Sequence, residues 1–468
     1  MAPTSSIEKL PLHVTSGILA QLDTIAQLSL VVRSHRIFHD AFNENSQTVA
    51  RSVVLNQIPP GMFPYAAALL HSIHVNPSKH DAVRELLSQL ETTLTSNNTK
   101  IGQLSHYPLS AYAALSRDLS AVEILRNDMV AETLPLFKSR FEFDHTPEAS
   151  DQELYRLNRA FLRYQLMCNL FCIPCKVGRP LSCEEITRCF FSSFSPWVNE
   201  QMLCVYAYLE RKVAEAFDDV AAHDVDHGEM PIDWEEDGTE SSHIQSHLCR
   251  GLPFLVAVLR ARTFGERESL LPMHPKPKRY YDSVPFEILR LMMPEKAFVD
   301  ELNPVEWWVP LSECSSSNIA KLSTPLDGER DALSSNPCQL WLQAHKEDEV
   351  YEIVVDKYFS KALWECAYLI WDWEQTTDLE RRCAAVSNMK LFFPRARLSW
   401  TIEEFRLSEM QRTCIWLFGG HGYWPRRRRS DEHFDFSGIS GIEENDEAKL
   451  IVKFRIEEKK IIDELRNL

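Results

Sequence analysis

Between Leu10 and Phe42 the apolar positions fall into three short helical patterns. Leu10, Val14, Ile18 and Leu22 recur every fourth residue and so share one helical face. Pro11 suits the first turn, where its missing N–H removes no bond. Asp23 or Thr24 is placed to cap a second helix that turns Ile25, Leu28 and Val31 or Val32 inward. Ser34 is placed to cap a third, carrying Phe38 and Phe42. Helices this short are unstable alone in water, so these faces must be buried against one another or against a partner.

Downstream the helical period persists. Ser46 opens a helix bearing Val49, Val53 and Leu55, which Pro59, Pro60 and Gly61 stop. Further patterns run from Ala66 to Ile73, from Ala82 to Leu90, and through Leu115, Leu119, Val122, Leu125 and Met129 to about Leu136. Ser150 with Glu153, and Ser182 with Glu185, are capping boxes. The first leads into Leu154, Leu157, Phe161, Tyr164, Cys168 and Phe171 at helical spacing. Pro196 and Trp197 open a helix through Met202, Val205 and Leu209 to Phe217. Others are expected over Ile244–Arg262, around Phe286–Met293, over about Glu349–Trp373, and after a third box at Thr401 and Glu404. No strand alternation is sustained and no solenoid repeat is visible, so the chain reads as mostly α.

The polar stretches divide these helices. Residues 218–242 are heavily acidic and read as a solvated loop, and Ser312 to Asn336 is Ser-rich and expected to be mobile. Residues 418–446 combine a glycine-dense run, the basic run Arg426 to Arg429 and an acidic tail, and read as a flexible linker before a helix at 447–468.

Leu10 and Pro11 opening a helix, then Ile18 with Leu19, Leu22 with Asp23, and an apolar helix ending in Arg33 and Ser34, resemble an F-box. The likeness is closer to the degenerate segment that opens many fungal F-box-like domain-containing proteins. Residues 153–171 and 194–210 are similar to segments of the same proteins. His13 stands where an acidic residue commonly follows Leu-Pro-x, and Thr24 where a proline commonly follows Leu-Asp. The resemblance implies a three- to four-helix F-box-like domain over 5–60 and a large irregular all-helical domain over 61–417. The first would dock on the Skp-type linker subunit of a cullin–RING ubiquitin ligase, and the second would hold a protein substrate. Leu10, Pro11, Val14, Ile18, Leu19 and Leu22 are the anchors it implies, in a helix-in-groove contact. Such an adaptor is not an enzyme and needs no cofactor or metal, because it works by positioning. The same pattern also fits a helical scaffold whose F-box-like segment is only structural.

Composition narrows the classes. At 468 residues the chain suits two or three compact units, and 44% hydrophobic with 25% charged residues is ordinary for a globular protein. Fourteen glycines against 25 prolines argue against Gly-rich barrels and Rossmann turns. A net charge of −17 disfavours nucleic acid and anionic membrane as partners. The opening MAPTSSIEKL is not a secretory signal, and no apolar run approaches the ~20 residues that span a bilayer. Twelve cysteines in such a chain are expected to be reduced. The expected location is the cytoplasm, or the nucleus if Arg426 to Arg429 act as an import signal.

Candidate chemistry is sparse. Cys168, Cys172 and Cys175, with Cys183 beyond, are the nearest approach to a zinc set, but the first two fall among apolar neighbours and read as core thiols. His223 with His227, and His243 with His247, would share a helical face, with Asp224 and Asp226 beside the first pair. That stretch reads as solvated instead. Gly419 to Gly422 lacks the Gly-Lys-Ser/Thr ending of a phosphate loop, and no nucleophile elbow is present.

Overall fold

The computed structural model describes residues 10–95, 104, 107–140, 148–172, 181–221, 242–271, 289, 310–324, 326, 330–346 and 361–373, with the backbone of 421–423 and 433–435. These residues are mostly α-helical.

Helices α1 (Leu12–Leu19), α2 (Ile25–Ser34) and α3 (Arg36–Gln57) close on one apolar cluster. Leu19, Leu28, Ala41, Val49 and Val53 are its buried centre, and Leu22, Ile25, Val31, Val32, Phe38 and Phe42 pack around them. Thr24 caps α2 by accepting the Gln27 N–H. Ser34 does not cap α3. Its hydroxyl donates to the Val31 carbonyl at the end of α2, and His35 caps α3 by accepting the Ile37 N–H at Nδ1. The helix expected to start at Ser46 is the second half of α3, because only Asn45 leaves helical geometry (φ −136°, ψ 33°).

Gly61, at φ +77°, turns the chain into α4 (Phe63–Ser72), followed by α5 (His80–Thr95) and α6 (Leu109–Arg140). α6 continues past the expected stop at Leu136 with Pro135 inside it. The Ile25 N–H donates to Ser116 Oγ, and Gln57 Nε2 donates to the Ser116 carbonyl and Ser120 Oγ. These bonds fasten α2 and α3 to α6, so no boundary between compact units falls near residue 60. Met1–Tyr208, Gly251–Pro253 and Tyr281–Lys390 cluster as one unit, and Leu209–Arg250, Phe254–Tyr280 and Leu391–Leu468 as the other.

In the first unit both capping boxes form, at α7 (Asp151–Leu170) and α8 (Cys183–Ile186). Arg84 of α5 pairs with Glu185 at the start of α8, and that hydrogen bond holds the Glu185 carboxyl down at about 2. A π-helical turn, Thr187–Phe191, precedes α9 (Pro196–Ala221). α9 takes up the first residues of the expected acidic loop, and 222–241 lie outside the described residues.

The single helix expected over Ile244–Arg262 is two, α10 (Ser242–Leu248) and α11 (Leu252–Arg260), parted by Gly251 at φ +81°. α12 (Phe264–Leu270) starts from a capping box at Thr263 and Glu266. In the second unit the His247 ring stands 5.9 Å from both Phe217 and Phe254.

The stretch from Ser312 to Asn336, expected to be mobile, holds α13 (Ser316–Lys321) and the wholly buried Asp331. α14 (Asn336–Ala344) and α15 (Lys361–Glu365) follow. Of the long helix expected over about Glu349–Trp373, residues up to 360 lie outside the described residues, and α15 ends at Glu365. The chain then turns at Ala367, whose φ is 54°, and Cys366 to Trp371 are all buried. In 418–446, β1 (His421–Tyr423) pairs antiparallel with β2 (His433–Asp435). Arg426 to Arg429 and the helix expected over 447–468 lie outside the described residues.

Candidate functional site

α1 buries Thr15, Ser16 and Leu19. The Ser16 hydroxyl donates to the Ala41 carbonyl at 2.7 Å, so short side chains bring α1 close to α3. The opposite face is left open. Val14 is 38% exposed and Ile18 47%, with Pro11, Leu12 and His13 exposed beside them. A Cβ added at Gly17 would meet nothing within 4 Å.

The six predicted anchors therefore divide. Pro11, Val14 and Ile18 face outward, and Leu10 is half-buried. Leu19, at 1% exposure, is core, and Leu22 packs against the same cluster. Leu19 is therefore closed to a partner, whereas Leu22, like Leu10, is only half-buried. The physical reason is that α1 is apolar on two sides. Leu19 lies four and three residues after Thr15 and Ser16 and so on their side, which meets α3, whereas Ile18 lies four after Val14 on the other. Leu30 on α2, 63% exposed, is a further outward apolar residue that periodicity did not single out.

A second arrangement lies inside the first unit. Arg156, Arg159 and Arg163 of α7 are spaced three and four apart, and all are buried. Arg156 pairs with Asp372 at 2.7 Å and donates to the Ile370 carbonyl. Arg159 meets both oxygens of Asp331 (2.6 and 3.1 Å) and donates to Gln201 at 2.7 Å. Burial works against the Arg159 charge, but Asp331 outweighs it and holds the guanidinium above its ordinary value. Arg163 donates to Asn199 Oδ1 at 2.7 Å and lies 3.9 Å over the Phe194 ring.

Glu200, one residue before Gln201, is fully buried. Its carboxylate accepts the indole N–H of Trp341 and of Trp364 at 2.8 Å, and the Tyr368 hydroxyl at 2.6 Å. His345 Nε2 lies 3.4 Å away. With no exposed surface, this carboxylate ties α9 to α14, α15 and the turn after it. It meets no solvent.

No family model, curated protein or solved structure matches this chain.

Among the described residues no group of three or more His, Cys, Asp and Glu side chains is placed to hold a metal. Cys168 and Cys172 are buried in the core and Cys183 is exposed, while Cys175, His223, Asp224, Asp226 and His227 lie outside the described residues. Burial pushes the Cys189 thiol up to about 11 and raises that of Cys204 well above its ordinary value, the reverse of an activated nucleophile. No helix among the described residues is long and apolar enough to cross a membrane.

Proposed function

We propose that the chain is an F-box-like substrate adaptor of a Skp–cullin–F-box ubiquitin ligase. α1 docks on the Skp-type linker subunit, and the helical remainder presents a protein substrate. The observation that carries this reading is the open face of α1. The three N-terminal helices already have a core, centred on Leu19, Leu28, Ala41, Val49 and Val53, so Pro11, Val14 and Ile18 are not needed to hold the unit together. Grouped apolar side chains left in water on a finished unit mark a contact surface. The role is positional: the adaptor raises the effective concentration of a substrate lysine near the charged ubiquitin donor.

The test is co-precipitation of the full chain with the Skp-type subunit, comparing wild type with Val14→Asp/Ile18→Asp. Recovery is expected to fall at least about tenfold, the loss of two central anchors, while the thermal midpoint stays unchanged. Equal recovery from the two proteins overturns the reading. The capture of Leu19 in the core and the fastening of α2 and α3 to α6 favour a second reading, a helical scaffold that binds no ligase. In that case the wild-type chain retrieves no linker subunit.

A further inference from the structure

A cleft of about 430 Å³ opens between α4 and α5, with Tyr107 also in its lining. This volume is within the range of small-molecule sites. Pro64, Ala67 and Ala68 of α4 form one wall, and Leu86 and Leu90 of α5 contribute to the apolar floor. The paired alanines create the space, since larger side chains there would fill it.

The polar groups on the lining are unequal. Thr92 spends its hydroxyl proton on the Ser88 carbonyl at 2.8 Å, and Gln89 donates its amide to Glu85 at 2.6 Å. Their oxygens and the carboxylate of Glu85 remain as acceptors. The His71 ring also lines the cleft, and among the described residues it makes no hydrogen bond. The Tyr107 ring is held in place by stacking on His74, 5.6 Å between centroids and 18° between planes. No lysine or arginine lines the cleft, and its one carboxylate is Glu85. An anion would find neither lysine nor arginine there, whereas a donor-rich cation would find several acceptors over an apolar floor.

We infer that this cleft is a binding site for a small amine with an apolar, flat body. The ammonium group sits against Glu85, Gln89 and Thr92, and the ring lies along Pro64, Ala67 and Ala68. This inference is independent of the docking role of α1.

Isothermal titration of the full chain with tryptamine, and separately with indole-3-acetate, tests it. The two probes share a ring system and differ in charge. Tryptamine is expected to bind saturably and indole-3-acetate at least about tenfold more weakly, the difference made by one charge-assisted contact. Glu85→Gln should weaken tryptamine about tenfold, and Ala67→Trp should abolish its binding by filling the cleft. Ala67 is partly exposed, and the unfolding midpoint of each variant reports whether the fold is intact. Equal binding of the two probes, no binding of tryptamine, or binding indifferent to both substitutions overturns the inference.

Discussion

Arg159 and Asp331, 172 residues apart in sequence, meet through two hydrogen bonds with at most 2% of either side chain exposed. Removing one partner of such a pair strands a buried charge and costs roughly 3–5 kcal/mol, whereas replacing both with apolar groups costs far less. Asp331→Ala should therefore lower the unfolding midpoint in urea sharply. Arg159→Met/Asp331→Leu should recover most of that loss. A double variant no more stable than Asp331→Ala would show that the pair adds more than charge compensation.

This pair marks what could be read in the sequence and what could not. The face of α7 was legible because Leu157, Phe161, Tyr164 and Cys168 keep a helical period, and Ser150 with Glu153 announce its start. Arg156, Arg159 and Arg163 stand at helical spacing within that apolar run, a visible sign that basic groups would be buried. Their partners were not visible. Asp331 sits in a Ser-rich stretch whose local composition says loop, and only long-range partners fix it, the Arg159 ion pair and the Trp197 indole N–H on its carbonyl. Glu200 is likewise one acid on an apolar helix until Trp341, Trp364 and Tyr368 arrive from far downstream. In α1 the expected face holds for Val14 and Ile18 but not for Leu22, which lies beyond the helix, and which side faces α3 depends on the fit of Ser16 against Ala41.

Ile18 and Leu19 are adjacent in sequence and opposite in environment. Leu19→Ala should destabilise by roughly 2–5 kcal/mol, as for a buried leucine whose site cannot collapse. Ile18→Ala should change stability by less than about 0.5 kcal/mol, as for an exposed position. Differential scanning calorimetry of the two variants decides the matter. Equal losses would mean that Ile18 is covered in the folded chain and that the open face of α1 does not exist.

Gly251 parts α10 from α11 at φ +81°, and a Cβ there would meet the Gln165 amide at 2.7 Å. Gln165 cannot easily retreat, because it accepts the Leu252 N–H at 2.6 Å and donates to Asn169, which in turn donates to Ser72. Gly251→Ala should cost at least about 1–3 kcal/mol from backbone strain together with the displaced hydrogen bonds. Adding Gln165→Ala relieves the crowding but not the positive φ, so the double variant should remain less stable than Gln165→Ala alone. Chemical denaturation of the three proteins measures both parts.

Asp118 on α6 is 8% exposed, and burial pushes its carboxyl up to about 7, opposed by the nearby Arg117. In the unfolded chain an aspartate loses its proton near pH 4. Between those limits the folded protein holds a proton that the unfolded chain has released, so stability falls as pH rises. The stabilising contribution is complete below about pH 4 and is lost once the pH passes about 7, where the folded protein must carry a buried charge. Asp118→Asn keeps the shape and removes the titration. Relative to wild type the variant should therefore gain stability as pH increases, reaching roughly 2–4 kcal/mol above pH 7 and levelling off there. Urea unfolding of both proteins between about pH 5 and pH 8 measures this difference directly, because every other titrating group cancels between them. A difference that stays flat across that range would mean that the Asp118 carboxyl is solvated in the folded protein.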